Sequence, residues 1–164
     1  MADEPRTNRL SWPAVEAHVR SIAEAASLDR APDCLIGILR GGAVPAVLVA
    51  HLLQVRDLRT VEVTHTLRDG IDAPKSPQVR IGNPSTLGDL TGLDVLIVDD
   101  VAGTGHTVRV TAELARRAGA TRVRTAVCVL NQANLDPDLP ASEIPTYTAL
   151  TTRGWVVFPW EAQS

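Results

Sequence analysis

Lysine is almost missing from this 164-residue chain: Lys75 is the only one, and the other basic residues are arginines. Lysine chemistry therefore has a single candidate, in a polar stretch where a solvated side chain is the ordinary outcome. Cysteine is scarce too. Cys34 and Cys128 fall in apolar runs that read as strands, and two thiols in a chain of this size indicate a reduced core and not a disulfide framework. The histidines at 18, 51, 65 and 106 share no metal-ligand spacing with one another or with the cysteines, so no structural zinc is expected. No apolar run approaches transmembrane length, and the opening MADEPRTNRL lacks the apolar core of a signal peptide. These absences point to a cytoplasmic protein with no membrane partner. Excess positive charge is also lacking: with a net charge of −3 the chain has no general attraction to nucleic acid, so an anionic ligand must be held by a local site.

What is present is 45% hydrophobic residues, enough for one cored domain over residues 1–164. The chain is organised around Asp94–Val108, DVLIVDDVAGTGHTV. Val95–Val98 is a β-branched-rich run of the kind buried in a parallel sheet. Asp99 and Asp100 follow at once, and then a turn from Val101 to Gly105 whose small residues Ala102, Gly103 and Gly105 let the backbone curl around a bound group. Thr107 opens a helix that runs to a cap at Gly119. Backbone N–H groups at such a turn, together with the helix dipole, favour a phosphate. Two carboxylates beside a phosphate repel it unless they face hydroxyl donors or a bridging Mg²⁺. A ribose phosphate meets both conditions, with Asp99 and Asp100 towards the sugar hydroxyls and the Ala102–Thr107 backbone around the phosphate, aided by the Thr104 and Thr107 hydroxyls. The plain alternative is a strand-to-helix turn capped by acids.

Upstream, Ser11 caps a packing helix from Trp12 to about Ser27. Cys34–Leu39 is a second short strand, ending at Arg40-Gly41-Gly42 before an apolar helix from Pro45 to Leu53. Arginine's fork of donors and the glycine N–H groups suit a diphosphate. Leu58–Leu67 reads as a strand. The polar stretch 68–92, which holds Lys75 and Arg80, is long for a passive connector and is expected to be a flexible active-site loop. Arg122–Leu130 is another strand, and 131–164 is a Pro- and Asn-containing connection with a tail, GWVVFPWEAQS, expected to form a small hood. Strands alternating with helices predict an α/β fold with a single doubly wound, mainly parallel sheet.

The Asp94–Val108 stretch resembles the 5-phosphoribosyl-1-pyrophosphate (PRPP) motif of the type I phosphoribosyltransferases, and Leu39-Arg40-Gly41-Gly42 resembles their pyrophosphate loop, in which the peptide before the arginine is often a non-proline cis bond. Within that family the chain is most similar to the xanthine-guanine group over nearly its whole length, through Leu10-Ser11-Trp12, Arg40-Gly41-Gly42 with Val44-Pro45, Asp99–Thr107 and Trp155–Glu161. The resemblance implies an Mg²⁺-dependent transferase that moves phosphoribosyl from PRPP to a purine-like base and releases pyrophosphate. It implies Arg40, Asp99 and Asp100 as catalytic residues, with Asp99 and Asp100 also meeting Mg²⁺ directly or through ribose hydroxyls and water. PRPP contacts would come from Arg40, Gly41, Gly42, Arg80, Asp99, Asp100, Ala102, Gly103, Thr104, Gly105, His106 and Thr107. Asn131, Trp155 and Val156 would meet the base, and the assembly would be a homodimer or homotetramer.

Two positions depart from the family's 6-oxopurine pattern. Gly103 stands where an aspartate accepts the purine N7 proton, and Asn131 stands where a lysine reads the 6-oxo group. The acceptor can then be a different base, a 7-deazapurine among them. Two other functions remain open at this point: a non-catalytic PRPP-binding regulator, and a phosphoacceptor receiver domain, which explains the acid pair but not the Gly-Thr-Gly turn.

Overall fold

The computed structural model describes residues 7–66 and 75–161. Its elements run β1 (Thr7–Arg9), α1 (Trp12–Asp29), β2 (Cys34–Leu39), α2 (Ala43–Leu53), β3 (Leu58–Thr66), β4 (Lys75–Ile81), β5 (Asp94–Ala102), α3 (His106–Arg117), β6 (Arg122–Asn131), β7 (Tyr147–Thr152) and β8 (Trp155–Val157). Six strands form one sheet in the order β4-β3-β2-β5-β6-β7. Every neighbouring pair from β3 to β7 is parallel, and β4 lies antiparallel on β3 at the edge.

Strands buried on both faces are apolar throughout, and β5 follows that rule. Leu96 and Val98 enter the core beneath α1 and α2 with Val15, Val19, Ile22, Ala46 and Val49. Val95 and Ile97 enter the opposite core beneath α3 with Val108, Ala112 and Ala115. Helices on both faces make the sheet doubly wound, as the strand and helix alternation predicts. Cys34 and Cys128 sit on opposite faces of the sheet, both free, and burial pushes each thiol up to about 12. Ser11 caps α1 by accepting a hydrogen bond from the Ala14 N–H at 3.3 Å.

One expectation needs correction. The stretch 68–92 is not an unbroken loop: Lys75–Ile81 is β4, and Pro84–Leu87 is a turn of 3₁₀ helix. Val79 and Ile81 alternate onto the α3-side core, which makes a strand from a segment rich in polar residues. Pro77 is tolerated there because β4 is an edge strand. The part of that stretch before Lys75 lies outside the described residues. The tail, 131–164, divides in two. Tyr147–Thr152 joins the main sheet beside β6, and only Trp155–Val157 leaves it, pairing in parallel with β1 in a two-stranded ribbon. Residues 162–164 lie outside the described residues.

Candidate active site

The strand order places a crevice before any side chain is considered. From β2 the chain passes through α2 to β3 on one side, and from β5 it passes through α3 to β6 on the other. Where connections diverge between adjacent parallel strands, ligands bind outside the strands' carboxyl ends. Arg40-Gly41-Gly42 follows β2, and Gly103–Thr107 follows β5. Both loops picked out from the sequence therefore open on one crevice.

They also touch. The Leu39–Arg40 peptide is cis, and the loop beyond it runs directly under the two acids. A Cβ on Gly41 would fall 1.8 Å from Asp100 Oδ2, and one on Gly42 would meet the Val98 carbonyl at 2.7 Å and Asp99 Oδ1 at 2.9 Å. Only glycine allows that approach. Arg40 is exposed at the crevice rim.

Asp99 is buried and Asp100 half-buried. Asp99 Oδ1 accepts the Asp100 N–H at 3.0 Å, and Asp100 Oδ1 accepts the Val101 N–H at 2.7 Å. Burial, and then the Asp100 charge, hold the Asp99 carboxyl well above the usual carboxylate range. Burial also lifts Asp100 to about 6, and the nearby Glu161 carboxylate adds to the shift. Glu161 itself is anchored by accepting the Phe158 N–H through Oε2 at 2.6 Å. Its place beside Asp100 has no signal in the sequence, because the tail is 61 residues further along the chain and returns only through the β1–β8 ribbon. Two neighbouring carboxyls, one buried and one half-buried, both with raised pKa values, suit hydroxyl donors or a cation. Among the described residues no three His, Cys, Asp or Glu side chains form a metal cage. A pair of carboxylates is a donor set that suits Mg²⁺, which is commonly held by one or two carboxylates together with a ligand's phosphate oxygens and water.

The turn after β5 has the form of an anion nest. Gly105, at φ +86°, is the residue before α3, a conformation that favours glycine. The first turn of α3 contains no acid, and its leading N–H groups have no partner within the helix. The Thr104 hydroxyl accepts the His106 N–H at 3.4 Å. The connection from β6 to β7 lies over this turn: the Asp136 N–H reaches the Thr104 carbonyl at 3.4 Å, and His106 Nε2 is 2.8 Å from Asp136 Oδ2. The His106 ring also packs 5.5 Å, centroid to centroid, from that of His65 on β3. Asp136 carries no signal in the sequence that would have linked it to the site.

On the base side Asn131 makes two hydrogen bonds within the chain. The residue is buried, its Nδ2 donates to the Gly154 carbonyl at 3.1 Å, and its Oδ1 accepts the Ala133 N–H at 3.1 Å. It fastens the end of β6 to the residue before Trp155. Trp155 is half-buried, whereas Trp160 packs on Phe158 and on Trp12. The Val156 side chain belongs to the core, which leaves its backbone for any ligand contact. Arg80 is exposed on β4, opposite Thr64 and two strands from β2. The Lys75 side chain lies outside the described residues.

Comparison with known proteins agrees with this geometry. Residues 6–163 match the model of the phosphoribosyl transferase domain. The chain is 30% identical to a xanthine-guanine phosphoribosyltransferase of Cereibacter sphaeroides, over 93% of this chain and 85% of the relative. It superposes on a purine phosphoribosyltransferase of Pyrococcus horikoshii with a TM-score of 0.74 at 30% identity, covering 96% of both chains. A Neisseria gonorrhoeae protein with ppGpp bound has the same fold, with a TM-score of 0.79 at 19% identity over 99% of this chain and 93% of that one.

Proposed function

We propose, from the premise that this chain belongs to the type I phosphoribosyl transferase family, that it transfers the 5-phosphoribosyl group of PRPP to a ring nitrogen of a purine-like base and releases pyrophosphate. The observation that carries this reading is the contact of the two loops: the Gly41 and Gly42 backbone lies against the Asp100 and Asp99 carboxylates, so a diphosphate grip and a sugar-hydroxyl grip meet at one point. The PRPP carbon that reacts, C1′, lies between the groups those two grips hold.

In this reading the α3 N-terminus and the Thr104 and Thr107 hydroxyls hold the 5′-phosphate. Asp99 and Asp100 accept hydrogen bonds from the ribose hydroxyls and, once ionised, stabilise the positive charge that builds on the sugar as the bond to pyrophosphate breaks. Arg40, with the Gly41 and Gly42 N–H groups, takes up the negative charge of the departing pyrophosphate. When bound, Mg²⁺ supplies Lewis-acid charge neutralisation at the pyrophosphate oxygens, and Asp99 and Asp100 are the residues that would hold it. Trp155 offers a face on which a planar base stacks, worth on the order of 1–3 kcal/mol. A homo-oligomer in the cytoplasm completes the proposal.

The test is pyrophosphate release from PRPP with Mg²⁺ across guanine, xanthine, hypoxanthine, adenine, uracil, orotate and 7-deazaguanine. Release with a purine-like base, with the matching nucleotide confirmed by mass, is the expected result. Tight PRPP binding with no release for any base would favour a PRPP-sensing regulator.

A further inference from the structure

Among the described residues, one side chain comes close to the space above Gly103. Apart from its two chain neighbours, a Cβ built there would meet, among the described residues, only the Cβ of Asn134, at 3.9 Å, which leaves a niche between the phosphate turn and the β6–β7 connection. Asn134 is held over this niche from both sides. Its N–H donates to the Asn131 carbonyl at 3.2 Å, and two residues further on Asp136 is fastened to the turn through the Thr104 carbonyl and His106. Leu135 and Leu139 close on Gly105 beneath it. The backbone of Asn134 is thus fixed, while its carboxamide is exposed and makes no hydrogen bond among the described residues. Its neighbour Asn131 has its amide committed to Gly154 and Ala133. Through that Gly154 bond the same four-residue turn is tied to the start of β8 and to Trp155. The ends of β5 and β6 are neighbours (Ala102 beside Leu130) and Asn131 bonds Gly154, so Gly103, Asn134 and the residue before Trp155 lie at one end of the sheet, and the Asn134 carboxamide is a polar side chain there with no bond of its own among the described residues.

We infer that Asn134 is a specificity-determining residue whose neutral carboxamide hydrogen-bonds one ring nitrogen of the base at the niche left by Gly103. This inference rests on the reading of the crevice as a nucleobase phosphoribosyl site. It names the substrate class more narrowly: a heterocycle with a nitrogen on the edge that faces Gly103. A carboxamide both donates and accepts but does not take up a proton at neutral pH. Asn134 therefore selects the base and does not deprotonate it.

The test is equilibrium binding of guanosine and adenosine 5′-monophosphates and of their 1-deaza, 3-deaza and 7-deaza isosteres to the wild-type chain and to Asn134→Ala. In the wild type one isostere is expected to bind roughly three- to tenfold more weakly than its parent, the worth of one neutral hydrogen bond. Asn134→Ala is expected to remove that penalty alone and to leave those of the other isosteres unchanged. An Asn134→Ala variant that keeps the wild-type pattern, or a wild type with no penalty for any isostere, would overturn the inference. The readout is independent of turnover. Loss of the single penalty in a chain that releases no pyrophosphate would keep Asn134 and sink the transferase, and release with an unchanged pattern would do the reverse.

Discussion

Asp100 carries a carboxyl lifted to about 6 from an ordinary 3.8, chiefly by burial. Between those values the folded chain binds more protons than the unfolded one, so stability falls as pH rises through the window and stays lower above it. Asp100→Asn removes that cost and keeps an oxygen to accept the Val101 N–H. The variant is expected to be more stable than wild type at pH 7, by about 3 kcal/mol at most, because the carboxyl keeps part of its surface in water. The difference should vanish well below the unfolded value of 3.8, at about pH 3, as measured by urea unfolding at both pH values without Mg²⁺. Such a site trades stability for function. The acid pair was legible in the sequence because two consecutive acids closing an apolar strand have no packing reason to be there. The placement of Asn131 and Glu161 was not legible. Asn131 spends its amide on Gly154, and the Glu161 charge acts on Asp100 only because the tail folds back; neither interaction leaves a trace in local spacing.

Among the elements, β2, β5 and β6 were readable because strands covered on both faces are continuous apolar runs, and α2 because it follows one of them as an apolar helix. β4 and β7 were not. Both are edge strands of the sheet, half-covered, and their mixed polar sequences look like connections. The contact between the loops after β2 and β5 is a property of two elements together, and it yields a sharp prediction. In Gly41→Ala the new methyl would overlap Asp100 Oδ2 at 1.8 Å, and either the carboxylate or the loop must move. A displacement near 1 Å in a catalytic arrangement costs on the order of 100-fold in rate. Pyrophosphate release should fall by about that factor while the far-ultraviolet circular dichroism stays that of the wild type, since the contact lies outside both apolar cores.

Across the whole molecule the two ends of the sheet divide the work. The carboxyl end holds the crevice, with its raised acids and exposed arginine. The amino end holds a closed ionic network. Arg124 donates from Nε and Nη2 to Asp94 Oδ1 at 3.2 and 2.9 Å, and from Nη1 to the Tyr147 hydroxyl at 3.2 Å, while Tyr147 donates to Asp29 at 3.0 Å. The Arg124 and Asp94 side chains are 3% and 6% exposed, so removing one partner strands a buried charge, at a cost of about 3–5 kcal/mol. Asp94→Ala should lower the unfolding free energy by that amount, and its KM for PRPP below the unfolding transition should match that of the wild type. The sequence by itself determined the fold class, the two crevice loops and the acid pair, because apolar periodicity and the residue types of a phosphate turn are local properties of the chain. Only the tertiary structure decided that those loops share one crevice, that Asn131 is a fastening, and that Asn134, Asp136 and Glu161 stand at the site. These are contacts between segments far apart in sequence, and the strand order, not local spacing, sets them.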